Sequence, residues 1–190
     1  QIYLDFYNNR NFGSEASLYA GTSVFTIFTP FPVSYPVYYR SYLGFPLDDW
    51  ISPDSTIKDA TFNVFGLLPF PGWWRRYTGS GVSLGPSSYF DEGTITYPTA
   101  PGIGALGLFW PCVNSGCWKQ LNVKSVVTDV KRYDFGLTSS IFNCWDTGCS
   151  PYVLAYFDSK EGGNKPYLEI TCVPCAGTIS LTLDPSYVSP

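Results

Sequence analysis

Sixteen prolines and eighteen glycines interrupt this chain every few residues. No window keeps apolar residues at helical spacing for more than about three turns, so helix is excluded as the main building material. One stretch departs from this rule. Within residues 123–133, Val126, Val127 and Val130 share a face at helical spacing, which predicts a single short helix. Elsewhere, short β-branched and aromatic runs stand between turn signals, the pattern of an all-β sandwich or barrel. Strands are expected near residues 2–7, 16–20, 37–45, 56–65, 94–97, 140–142, 152–157, 167–172 and 178–183. Residues 29–36 and 68–88 read as Pro- and Gly-rich loops, the second long enough to suggest a purpose. At 190 residues, with no fixed-period repeat and no linker, one large β-domain is expected.

Composition then narrows the function. Charged residues make up 14% of the chain, against an ordinary ~25%, and aromatics 18%, so the surface must carry many uncharged and aromatic side chains. Net charge is −4, and no Lys/Arg run is longer than the two residues of Arg75-Arg76, which excludes the clustered positive footprint of a nucleic-acid binder. The longest apolar stretches, 24–28 and 102–110, fall short of the ~20 residues of a membrane helix. The chain has no Met and opens at Gln1 directly into a strand-like run, as a mature N-terminus does after removal of a signal peptide.

Six cysteines fall in three close pairs: Cys112 and Cys117 around VNSG, Cys144 and Cys149 around WDTG, Cys172 and Cys175 around VP. Spacing does not settle the connectivity, but VNSG and WDTG are turn-forming and local pairing is the expectation. A zinc site is the rival reading. It fits poorly, because C-x4-C occurs without any histidine. Disulfides imply an oxidising, extracellular location.

Five segments, read in order, resemble one family of secreted β-sandwich modules, the DNRLRE-domain or disaggregatase-related domains, which include carbohydrate-binding modules. YLDFYNNRNFGSEASLYAG, residues 3–21, is similar to the family's first strand, Asn-rich loop and second strand. RSYLGFPLDDWISPDSTIKDATFNVF, residues 40–65, resembles its strand, linker and I-x-x-A-x-L strand, here with Ile57, Ala60 and Phe62. FDEGTITYPTAP, residues 90–101, resembles its W-x-E-G-x-T-W-x-x-x-P segment, with Phe90 and Tyr97 in the tryptophan places. LNVKSVVTDVKRY and YFDSKEGGNKPYLEI resemble its strand-plus-short-helix and closing strand, ending at Ile170. The resemblance implies a jelly-roll-like antiparallel sandwich, an extracellular home and, in some members, glycan binding. The cysteine pairs and the residues past Ile170 are departures from the family pattern.

Several candidate sites follow. With no histidine and every cysteine beside a disulfide partner, nucleophilic acyl transfer lacks its parts, and no enzyme is expected. The carboxylate pairs Asp48-Asp49 and Asp91-Glu92 sit by turns and are poorly placed for glycoside hydrolysis. Trp73, Trp74, Arg75, Arg76 and Tyr77 cluster in the long loop, either to hold a sugar ring or to cover an interface. No cofactor is expected beyond calcium, for which Asp48, Asp49 and Asp54, or Asp158 and Glu161, offer hard oxygen ligands but without EF-hand spacing. The domain is taken as residues 1–176, with a tail over 177–190. In that tail Ile179, Leu181 and Leu183 alternate with Thr178, Ser180, Thr182 and Asp184, a strand that buries one face. Either it folds back on its own sandwich or it is donated to a neighbouring subunit, and head-to-tail donation makes filaments.

The expectation is an extracellular structural subunit of a cell-surface filament or sheath, a homo-polymer with no nucleic-acid partner and no membrane span. A module that binds an extracellular polysaccharide is the alternative. The absence of His and Met, the Pro-rich turns and the three cysteine pairs fit a hot or harsh habitat.

Overall fold

Burial alternates along the chain with a period of two, and that alternation builds two antiparallel sheets. In the computed structural model the described residues are 16–27, 33–67, 80–96, 98–109, 112, 116–141, 154–175 and 178–182. They form β1 (Ser17–Ile27), β2 (Val33–Tyr39), β3 (Ser41–Pro46), β4 (Thr56–Gly66), β5 (Ser80–Ser87), β6 (Gly107–Phe109), β7 (Cys117–Asn122), β8 (Arg132–Ile141), β9 (Leu154–Asp158), β10 (Tyr167–Val173) and β11 (Thr178–Thr182). The first sheet runs β11-β10-β4-β9-β1-β2 with β7 added to the other edge of β4; the second runs β3-β8-β5-β6. Each strand sends one side-chain set inward. β4 contributes Ile57, Ala60, Phe62 and Val64, β8 Phe135 and Leu137, β5 Val82 and Leu84, β10 Leu168 and Ile170. The middle of the sandwich is aromatic: Phe62 stands 5.6 Å from Phe135, 6.0 Å from Phe45 and 6.2 Å from Phe109. The all-β sandwich expectation is met.

The second strand changes sheets. Tyr39 pairs with Gly21 of β1, and two residues on Ser41 pairs with Leu137 of β8, so Arg40 marks the crossing. The Ser41 hydroxyl accepts from the Tyr19 N–H at 3.0 Å and donates to the Tyr19 carbonyl at 2.9 Å. One side chain thereby satisfies backbone groups of β1 that β2 no longer reaches.

The outer face of the second sheet is covered by its own chain. Gly85, Gly136 and Tyr42 lie side by side across β5, β8 and β3. Without side chains at the two glycines, residues 101–106 lie flat on the sheet: Gly104 donates to the Pro86 carbonyl at 2.8 Å, Leu106 to that of Leu84 at 2.9 Å, and the Tyr42 hydroxyl to that of Pro101 at 2.7 Å. In the next row Asp134 faces Gly44. Asp134 is 7% exposed and accepts from Arg132 Nε at 2.9 Å. The Arg132 guanidinium also donates to the Phe90 carbonyl and stacks 4.6 Å from the Tyr89 ring. Burial pushes the Asp134 carboxyl above its ordinary value of 3.8, and Arg132 offsets part of that rise. A carboxyl raised on folding favours the folded state below its unfolded value and loses that contribution as pH rises through the folded one. Stability of the parent relative to Asp134→Asn is therefore expected to fall as pH increases from about 3, measured by urea melts at a series of pH values. A difference that is flat or grows with pH contradicts this assignment.

Four expectations are corrected. Residues 33–36 of the expected loop 29–36 already belong to β2, where they pair with residues 24–27 of β1. Residues 123–133 are not a helix: Val126 and Val127 both donate to the Val123 carbonyl, making one turn, and β8 begins at Arg132. The Tyr133 hydroxyl accepts the next backbone donors, Thr128 at 3.0 Å and Asp129 at 2.9 Å, in place of further helical acceptors. The short helix of the described residues is instead a 3-10 turn at Leu47–Asp49. Residues 94–96 are a turn rather than a strand, because Asp91 accepts from the Gly93 N–H and the Thr94 hydroxyl and winds the backbone on itself. Finally, the C-terminal part of the expected loop 68–88 is β5, whose apolar Val82 and Leu84 alternate with small residues that are easily mistaken for a loop.

Candidate binding face and open sheet edges

The cysteine pairs Cys112–Cys117 and Cys172–Cys175 are disulfides, with Cα atoms 5.9 and 5.2 Å apart. Local pairing is thus met for both; Cys144 and Cys149 lie outside the described residues. So do Trp73, Trp74, Arg75, Arg76 and Tyr77, and the first expected strand, 2–7.

Of the carboxylates singled out as acids or ligands, Asp91, Glu92 and Asp158 hold loops in place. Asp91 caps its own turn, and Glu92 receives Lys160 at 2.7 Å, tying two loops together. Asp158 accepts from both the backbone and side-chain amides of Asn164, at 2.9 and 2.8 Å, and so closes the loop after β9. Asp48 and Asp49 occupy the first turn of the 3-10 segment. Among the described residues no cluster of three His, Cys, Asp or Glu side chains could hold a metal ion. Nor does any helix among them have the length and apolarity to cross a membrane.

The tail strand is a member of the first sheet. β11 pairs with β10 of the same chain from Tyr167↔Thr182 to Thr171↔Thr178. Its inward residues do what their alternation predicts: Leu181 is buried and Ile179 packs against the core. Leu183 lies outside the described residues. Of the two arrangements open to the tail, this one is the fold-back.

Edges decide what a sandwich joins to. Among the described strands β7 pairs only with β4 and carries Lys119 in its inward set, where desolvation lowers the amine's pKa. An inward charge deters a further strand from docking there. β2 pairs only with β1 and contains Pro36, which lacks the N–H a ladder needs. β11, at the other end of the sheet, has no charge, no proline and no bulge from Thr178 to Thr182. Among the described residues it is the unguarded end of this sheet.

The outward face of the first sheet is aromatic. Trp118 of β7 lies opposite Phe65 of β4, and in the next row Gln120, Asn63, Tyr167 and Thr182 follow one another across four strands. Trp118 stands 5.4 Å from Phe65 and 5.3 Å from Tyr167. Trp118 and Tyr167 come from strands on either side of β4, and Asn63, on the β4 strand between them, is fully buried. Gln120 donates to the Asn63 side-chain oxygen at 2.8 Å, and Asn63 donates to the Thr61 carbonyl. A second triad sits on the same face across β2, β1 and β9: Tyr19 lies 5.9 Å from Tyr39 and 5.2 Å from Tyr156. Burial and its two tyrosine neighbours push the Tyr156 hydroxyl above its ordinary value of 10.0. Sequence reading missed this face because β7 was not expected. Its signal is the alternation Trp118, Gln120, Asn122 against Lys119 and Leu121.

A scan against protein-family models gives no match, and a search of curated proteins finds no significantly similar sequence.

Proposed function

We propose that the chain is an extracellular structural subunit that polymerises through its β-sandwich into a cell-surface filament or sheath, with β11 as the strand exchanged between copies. The observation that supports this reading is the unguarded β11 edge. Because β11 pairs only with β10 among the described strands, the same ladder and the same burial of Leu181 form whichever copy supplies the strand. Exchange of an identical element is a low-cost route to association, and head-to-tail exchange does not close. The disulfides and the low charge fit an exposed, oxidising setting. The likeness to DNRLRE-type secreted modules belongs to the same reading.

The test has two parts. Negative-stain electron microscopy and light scattering of native protein are expected to show regular polymers. Mixing a Glu169→Cys variant with a Ser180→Cys variant, residues that face each other across β10 and β11, is then expected to give covalent dimers. A species that stays at 21.1 kDa, or polymers without that cross-link, overturns the strand-exchange reading.

A further inference from the structure

The outer face of the first sheet has a composition that assembly by its edge does not require. We infer that Trp118, held by Phe65 and Tyr167 at near-perpendicular interplanar angles of 71° and 70°, is the platform on which a neutral polysaccharide stacks, independent of Trp73 and Trp74. Phe65 and Tyr167 are half-buried, yet Trp118 keeps 42% of its surface in solvent. The C–H bonds on one side of a pyranose ring are apolar and weakly positive, and they dock on the negative face of an aromatic ring. Hydroxyls at the rim of the sugar then need donors and acceptors close by. Gln120 is exposed and uses one amide hydrogen on Asn63, leaving its oxygen and second hydrogen for a ligand. Glu169 and Thr61 lie one row further on, beside Asn122, whose amide is held by Asp59 at 3.0 Å.

Charge selects the class of sugar. The three rows carrying Trp118, Gln120 and Asn122 with their partners on β4, β10 and β11 hold no lysine or arginine, and their charged group is Glu169. Uronates and sulfated sugars are therefore disfavoured, since a carboxylate beside the platform repels them and these rows offer no cation to compensate. The tyrosine triad on the same face gives a second aromatic patch, which suits a chain of sugars more than a single one.

Affinity electrophoresis of the native protein in gels containing laminarin, galactomannan or xyloglucan, with alginate as the acidic control, reads the inference directly. Retardation by at least one neutral polymer and none by alginate is expected. Trp118→Ala is expected to weaken it about ten-fold, and Trp118→Tyr to retain most of it. Unchanged thermal unfolding of each variant shows that the fold is intact; a variant that unfolds early is replaced by Gln120→Ala, expected to weaken binding several-fold. No retardation by any neutral polymer, retardation by alginate alone, or retardation unaffected by these substitutions overturns the platform. Loss of polymer formation in Trp118→Ala without loss of retardation overturns it too, and assigns the face to contact between copies.

Discussion

Phe62→Ala is expected to lower the free energy of unfolding by about 3–5 kcal/mol. Phe62 is fully buried, and its ring lies between the sheets, with Phe45 and Phe135 of the second sheet on one side of β4's own pairing plane. β4 is hydrogen-bonded on both edges, to β10 and to β7, so its backbone cannot move inward to fill the space the ring leaves. The cavity therefore persists, and its cost adds to the lost transfer energy. With a urea slope near 2 kcal/mol per molar, the unfolding midpoint should fall by roughly 2 M. Phe62→Leu, which keeps most of the volume, should cost only about 1–1.5 kcal/mol. A loss below about 1 kcal/mol in the alanine variant would show that the sheets do not meet on this ring.

The second large effect is expected at Gly85. A Cβ built there runs into the backbone carbonyl of Gly104, which cannot rotate away as a side chain can. Gly85→Val should therefore lift residues 101–106 off the sheet, breaking the bonds from Gly104, Leu106 and Tyr42 described above. Three hydrogen bonds at about 1 kcal/mol each put the loss near 3 kcal/mol. Limited proteolysis should show new cleavage within 98–106, and urea melts the lower midpoint. Gly102→Ala is the control: a Cβ at Gly102 meets nothing within 4 Å and should change neither reading. If Gly85→Val is as stable and as protease-resistant as the parent, the segment does not depend on the glycine row.

What the sequence made legible follows from where burial is one-sided. β10 and β11 alternate cleanly, and β4, β9, β10 and β11 each stand within a residue or two of their expected places. β8 alternates as well, with Tyr133, Phe135 and Leu137 inward, but three valines at helical spacing just before it drew the reading toward a helix. Those valines serve a single turn because Tyr133, distant by only a few residues, takes the backbone donors a helix would have used. β5 was hidden for a different reason. Its outward positions are Gly81, Ser83, Gly85 and Ser87, small so that another segment can lie on them, and small residues read as loop when the covering segment is unknown. The aromatic face fell between these cases: Phe65 and Tyr167 lie in expected strands, but their partner Trp118 lies on β7, and only the pairing of β7 with β4 brings the three together.

The crossing at Arg40 gives the sandwich a mechanical property. Tyr39 is stitched into one sheet and Ser41 into the other, and the Ser41 hydroxyl clamps the main chain of Tyr19 between them. Tension drawn along this ribbon reaches both ladders within a single residue. The load runs parallel to the strands, so the hydrogen bonds of β1–β2 and β3–β8 resist it together, in shear, and do not open one after another like a zip. Neither sheet can be peeled from that corner without the other giving way at the same time.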